Sequence, residues 1–207
     1  LSLTAAQRAM ESGALSAAAL LEACLERIDA RESDVLAWVM MDREAARAKA
    51  KAMDAAGRPG ALGGIPVGLK DIIETADFGT EYNSVIYKGY RPTVDAAVVS
   101  TIKNAGGNIL GKTVTTTFAH RNPGPTRNPH NPGHTPGGSS SGSAAAVADG
   151  IIPLALGTQK GGYVLRPGAY RYTITAVSTA VFAPGLDFAS TEYDLVFELR
   201  PLIQNVC

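Results

Sequence analysis

From Gly63 onward the chain alternates short apolar runs with helical segments, and that alternation restricts the fold more than any other feature. "GGIPVGLKDII", "NILGKTV" and "IIPLALG" read as strands, with "VDAAVVSTIKNAGG" and "SAAAVADG" as the helices between them. Strands alternating with helices predict an α/β architecture. Asp95 is placed to cap the first of these helices and Gly106 to end it. Before the second lies "HRNPGPTRNPHNPGHTPGGSSSGS", a long loop of Pro, Gly, Asn and Ser. A loop of this length inside a compact domain tends to carry function.

The preceding segment is helical. "LTAAQRAMESG" carries a capping box, Thr4 with Gln7, and stops at Gly13. A second helix starts at Ser16, with Leu20, Leu21, Cys24, Leu25 and Ile28 at helical spacing and Glu22, Glu26 and Arg27 opposite. "VLAWVMM" reads as a short strand, and "REAARAKAKAMDAAG" as an alanine-rich amphipathic helix closed by Gly57. These elements look like packing units, giving a division into 1–60, a helical segment lying on the core, and 61–207, the core domain.

Charge excludes some functions. Lys+Arg and Asp+Glu both number 19, and no basic run stands out, which argues against a nucleic-acid partner. No apolar stretch reaches the ~18 residues of a membrane span, and the start lacks the pattern of a secretory signal. Cys24 fits an apolar helix face and Cys207 ends the chain, so the expectation is reduced thiols in a cytoplasmic protein.

Three motifs match in letters but not in context. "GGNILGKT", Gly106–Thr113, spells a phosphate-cradling loop, which requires a strand before it and a helix after it. Here a helix precedes and the β-branched "TVTTT" follows, so Lys112 is expected to be a solvated or locally paired lysine. "GSSSG", Gly138–Gly142, spells a nucleophile elbow, yet "NPHNPGHTPG" leads into it and cannot be a central strand. His130 and His134 are four apart, but proline and glycine between them exclude a shared helical face, so no metal site is expected.

What remains is Lys70 at the end of "GGIPVGLKDI", the run "GGSSSGS", and the glycine turn in "LALGTQKGGYVLRPG". A lysine desolvated at a strand end loses proton affinity and can act as a neutral base, whereas a snorkelling or Asp71-paired lysine is the structural alternative. The serine run abuts a helix start, where N–H groups are free.

Together these segments resemble the amidase signature family over Gly63–Pro167, with two motifs in the family's order. Ser139 lies 69 residues after Lys70, and position 163 lies 24 residues after Ser139. The resemblance implies an α/β fold with a mixed central β-sheet surrounded by helices, of which this chain reads as a truncated part. It implies hydrolysis of a non-peptide carboxylic amide by acyl transfer, with Lys70 as base and Ser139 as the bridging serine on a cis peptide. Position 163 is then the nucleophile, and Lys160, Gly161 and Gly162 supply the oxyanion-binding N–H groups. Ser140 and Arg166 fall at substrate-binding positions, Arg166 with a loop-structuring role as its alternative. No cofactor or metal is implied. The partner is a small-molecule amide, with a homodimer left open.

Position 163 departs from the family: it holds Tyr163 instead of serine, and Lys160 departs beside it. A phenol oxygen stands several ångströms farther from Cα than a seryl oxygen, and its free pKa is about 10. Two expectations follow. The protein is an amidase if position 163 carries serine, and a catalytically inactive amidase-fold binding module if it carries tyrosine.

Overall fold

The computed structural model of the chain describes residues 1–159 and the strand segments 170–171, 178–182 and 193–194. The N-terminal part is three helices and a strand: α1 (Leu3–Glu11), α2 (Ala17–Val35), β1 (Trp38–Met41) and α3 (Arg43–Ala55). In α2 the Ser16 hydroxyl accepts from Ala19 N at 3.0 Å, and Leu20, Leu21, Cys24, Leu25 and Ile28 are buried, as their spacing requires. Asp42 caps α3 in the same way, and Gly57 follows its end with φ +76°. Asp54, near the end of α3, accepts from Ala17 N and Ala18 N at 2.9 Å each. Its carboxylate thereby neutralises the exposed N–H groups at the start of α2 and ties the two helices together.

The alternating part follows as β2 (Pro66–Lys70), α4 (Ala97–Asn104), β3 (Asn108–Thr113), α5 (Ser141–Ala148) and β4 (Leu154–Gln159). Beyond these lie β5 (Tyr170–Arg171), β6 (Ser178–Phe182) and β7 (Tyr193–Asp194). The main sheet has the order β1-β3-β2-β4-β6, and β5 pairs with β7 separately. β2 runs parallel to β3 and β4 on either side, while β1 and β6 run antiparallel at the edges. The sheet is therefore mixed. Because α4 leads to one neighbour of β2 and α5 crosses to the other, the carboxyl end of β2 sits where the winding changes direction, the place where α/β sheets open a crevice.

One apolar core joins both parts: Leu21, Leu25 and Ile28 of α2 pack with Val67 and Leu69 of β2, Leu110 of β3 and Leu154 of β4. Two expected caps differ. Ser2, not Thr4, caps α1 by accepting from Ala5 N, and Gln7 instead reaches across to donate to Ala61 O at 2.9 Å. Asp95 does not cap α4, which has no side-chain cap; its carboxylate accepts from Thr75 Oγ1 and Ala76 N and pairs with Lys103. Thr4 thus yields to a nearer local cap, whereas Gln7 and Asp95 are drawn to partners across the structure.

Candidate active site

Lys70 ends the central strand and is fully buried. Its Nζ lies 2.6 Å from Ser139 Oγ, 2.8 Å from Thr158 Oγ1 and 3.3 Å from Thr158 O. The structure thus brings together two residues singled out from sequence, Lys70 and Ser139, and adds Thr158 at the end of β4, which the sequence pattern did not single out. Thr158 follows Leu156, itself paired with Leu69, so the end of β4 runs beside the end of β2 where Lys70 stands.

Ser139 is held by main chain. The Gly138–Ser139 peptide bond is cis, and Thr116 N donates to Ser139 O at 3.0 Å. Ser140 is buried, with its Oγ accepting from Thr158 N at 3.1 Å and donating to Thr158 O at 3.2 Å. The adjacent serine therefore fixes the residue that touches Lys70.

The face of the sheet carrying Lys70 is lined with hydroxyls. β2 and β3 pair Lys70 with Thr113, and residues paired across strands share a face. Thr113 Oγ1 lies 2.7 Å from Ser143 Oγ of α5, which in turn donates to Leu156 O at 2.8 Å. Hydroxyls can both give and take a proton, so this wall can accommodate an amine in either charge state.

The opposite face carries a second lysine. Leu69 pairs with Lys112, and Lys112 Nζ reaches Asp71 Oδ1 at 3.3 Å, both side chains being fully buried. Nζ also donates to Thr80 Oγ1 at 2.6 Å and Gly79 O at 3.1 Å. The expectation of a solvated Lys112 is corrected, and the local-pair alternative is what forms. Burial pushes the Asp71 carboxyl above its ordinary range, while Lys112 and the Glu81 and Asn83 N–H groups pull the other way. Burial pushes Lys112 below the usual lysine value, against the pull of Asp71.

Two loops meet beside the site in strained backbone. Tyr82 and Asn83 have φ of 57° and 49°, Phe118 and Ala119 have 51° and 53°, and Phe118 N donates to Tyr82 O at 2.9 Å. Non-glycine residues in the left-handed region persist where surrounding contacts enforce them, and such positions cluster at functional sites. No sequence pattern announced them.

Lys160, Gly161, Gly162, Tyr163 and Arg166 lie outside the described residues, as does Cys207. Among the described residues no group of three or more His, Cys, Asp or Glu side chains is arranged to hold a metal ion. Likewise, none of the described helices is long and apolar enough to cross a membrane.

Comparison with known proteins converges on one family. A family profile described as Amidase matches residues 19–174. A glutamyl-tRNA(Gln) amidotransferase subunit from Chloroflexus aurantiacus is 41% identical over 179 residues, covering 82% of this chain and 37% of that protein. The crystal structure of native peptide amidase from Stenotrophomonas maltophilia superposes with a TM-score of 0.68 at 36% identity, covering 74% of this chain and 35% of the other. A 6-aminohexanoate cyclic dimer hydrolase complexed with substrate gives 0.69 at 32% identity, covering 76% and 34%. The chain spans little more than a third of the length of these relatives.

Proposed function

Since the chain belongs to the Amidase family, we propose that it carries the base-and-relay half of an amide-hydrolysing site, completed by a nucleophile at position 163. The observation that carries this reading is the 2.6 Å approach of a fully buried lysine nitrogen to the Ser139 hydroxyl. An uncharged Lys70 amine takes the Ser139 proton while Ser139 takes the proton of a hydroxyl at position 163. The oxygen so released attacks the carbonyl carbon of a small non-peptide carboxylic amide. As the C–N bond breaks, the proton returns through Ser139 to the leaving amine. Water then cleaves the acyl ester by the same relay.

The N–H groups of Lys160, Gly161 and Gly162 are assigned to the developing oxyanion, where a single donor is worth about 3 kcal/mol. Ser140 and Arg166 are assigned to substrate positioning. Thr158 steadies the Lys70 amine.

A specific residue favours a second reading. Tyr163 at the nucleophile position cannot take the seryl role, so with tyrosine there the fold serves as a catalytically silent binding module.

A fluorophosphonate probe and peptide mass mapping test both readings. The chain bearing Tyr163 is expected to form no adduct within 157–168, and Tyr163→Ser is expected to label at 163 and to gain amide turnover. Lys70→Ala in the serine-bearing chain should abolish turnover at neutral pH. Labelling of the tyrosine chain in that window overturns the silent reading; a folded serine variant that neither labels nor turns over overturns the amidase reading.

A further inference from the structure

Lys70 and Asp71 are consecutive residues whose side chains leave opposite faces of the sheet, Lys70 toward Ser139 and Asp71 toward Lys112. Asp71 is fully buried, and it holds the loop that follows β2. Its carboxylate accepts from Glu81 N at 3.2 Å and from the Asn83 N–H, and its carbonyl accepts from Tyr82 N at 3.2 Å. Lys112 Nζ lies 3.3 Å from Asp71 Oδ1 and donates to Gly79 O at 3.1 Å and Thr80 Oγ1 at 2.6 Å. The start of the same loop is therefore fixed to the same buried pair.

That loop in turn holds another. Tyr82 O accepts from Phe118 N at 2.9 Å, and Asn83 O accepts from Thr117 Oγ1 at 3.1 Å. Immediately before them in the chain, Thr116 N donates to Ser139 O at 3.0 Å. Ser139 Oγ then meets Lys70 Nζ at 2.6 Å, and Lys70 is peptide-bonded to Asp71. The contacts close a circuit that runs from Asp71 through 82–83, 116–118 and Ser139 to Lys70 and back. Tyr82, Asn83 and Phe118, all in left-handed backbone, lie on it. Non-glycine residues keep that backbone while neighbouring contacts enforce it, so the circuit is what keeps both loops in this shape. Ser140 fastens the serine turn to Thr158 on β4, and Thr116 fastens it from the β3 side.

We propose that Asp71 is a positioning residue for Ser139: by seating residues 81–83 it holds the 116–118 turn, and that turn keeps Ser139 within reach of Lys70. The relay role of Ser139 rests on the function proposed above; its seating by Asp71 does not.

Amide hydrogen exchange reads the seating without any activity. Asp71→Asn keeps the side-chain volume but offers one acceptor oxygen instead of two, so Lys112, Glu81 and Asn83 compete for it. Exchange at Glu81 is expected to quicken about tenfold or more, and exchange at Phe118 and Thr116 by the same factor. In the unaltered chain, Thr116 and Glu81 should share one opening, with equal free energy and equal dependence on denaturant. In the Tyr163→Ser chain, Asp71→Asn should slow fluorophosphonate labelling by about tenfold to a hundredfold, with every folded molecule still labelled. A merely structural loss would lower the labelled fraction and leave the rate as it was.

Folded Asp71→Asn that leaves Thr116 exchanging at its original rate overturns the proposal, and so does an unchanged labelling rate. Should that variant not fold, the unaltered chain decides: separate openings for Thr116 and Glu81 overturn the proposal, and a shared one upholds it. If Tyr163→Ser never labels, the amidase reading falls and the exchange result still decides whether Asp71 seats Ser139.

Discussion

Gly142→Ala sets two physical effects against each other. Gly142 lies in the first turn of α5, where an alanine in an exposed helix stabilises by up to about 1 kcal/mol over glycine. Its surroundings predict the reverse sign. A Cβ there would stand 2.3 Å from Ala37 O, 2.3 Å from Val114 N and 3.0 Å from Val114 Cα, all main chain. Those atoms are themselves bonded, Val114 N donating to Ala37 O at 2.9 Å and Gly142 N to Val114 O at 2.9 Å. The methyl group would sit against the very hydrogen bond that joins the start of β1 to the end of β3.

To reach ordinary contact the helix must retreat by about 1 Å, which lengthens the Gly142 N–Val114 O bond past useful geometry, or Ala37 and Val114 must part, which lengthens theirs instead. Each is worth about 1 kcal/mol net, and a buried N–H left without a partner adds about 1–3 kcal/mol. After the gain from helix propensity, the expected loss is about 2 kcal/mol, a sizeable share of a typical 5–15 kcal/mol. Urea unfolding followed by circular dichroism measures it, with the midpoint shifted and the slope unchanged. Gly150→Ala at the other end of the same helix is the control: nothing lies within 4 Å of its Cβ position, and only its φ of +70° opposes the change, at about 1 kcal/mol. If Gly142→Ala stabilises the protein, or costs no more than Gly150→Ala, the packing argument is wrong. The same retreat would carry Ser139 away from Lys70.

Two further outcomes follow from buried or paired groups. Burial pushes the Cys24 thiol up to about 12, so in the folded protein at pH 8 mass mapping after alkylation should find the Cys24 peptide unmodified, and urea should expose it. For Asp95, burial acts upward, yet Lys103, the Ala76 N–H and the Thr75 hydroxyl hold the carboxyl below the ordinary aspartate range. A depressed carboxyl contributes stability above about pH 4 that is lost as the pH falls through its folded value. Asp95→Asn should therefore flatten the acid limb of a stability-against-pH curve, and a parallel displacement at all pH values would contradict the assignment.

Element order was legible because it rests on patterns local to each segment. The spacing of Leu20, Leu21, Cys24, Leu25 and Ile28 admits one buried helix face, and the glycines at 57 and 106 take left-handed backbone where the helices end. Lys70 and Ser139 were legible for another reason: each is embedded in a distinctive local run, although only the fold shows their separation of 2.6 Å. Thr4 with Gln7 and Asp95 ahead of α4 are good local caps, yet Ser2 takes the cap of α1, and Gln7 and Asp95 find partners across the structure: Ala61 O for Gln7, and Thr75 and Ala76 for Asp95. Local pattern ranks local partners alone.

Lys112 shows where that limit matters most. In sequence it is one lysine among nineteen basic residues, in a run whose letters pointed to phosphate. Its burial depends on Asp71 and Thr80, which reach it only because β2 and β3 lie side by side with Leu69 opposite Lys112. A single-residue slip in that register would place Lys112 opposite Lys70 on the hydroxyl-lined face, since alternate residues of a strand face opposite ways. Register, rather than residue identity, therefore keeps Lys112 off the face on which Lys70 meets Ser139. The feature that pins it is the bulge between Val67 and Gly68, where the pairing steps from Ile109 to Gly111. Without that step Leu69 would oppose Gly111, and Lys70 would oppose Lys112. The chemistry assigned to Lys70 therefore depends on one irregular residue pair shortly before it, in a stretch that reads in the sequence as an unremarkable strand.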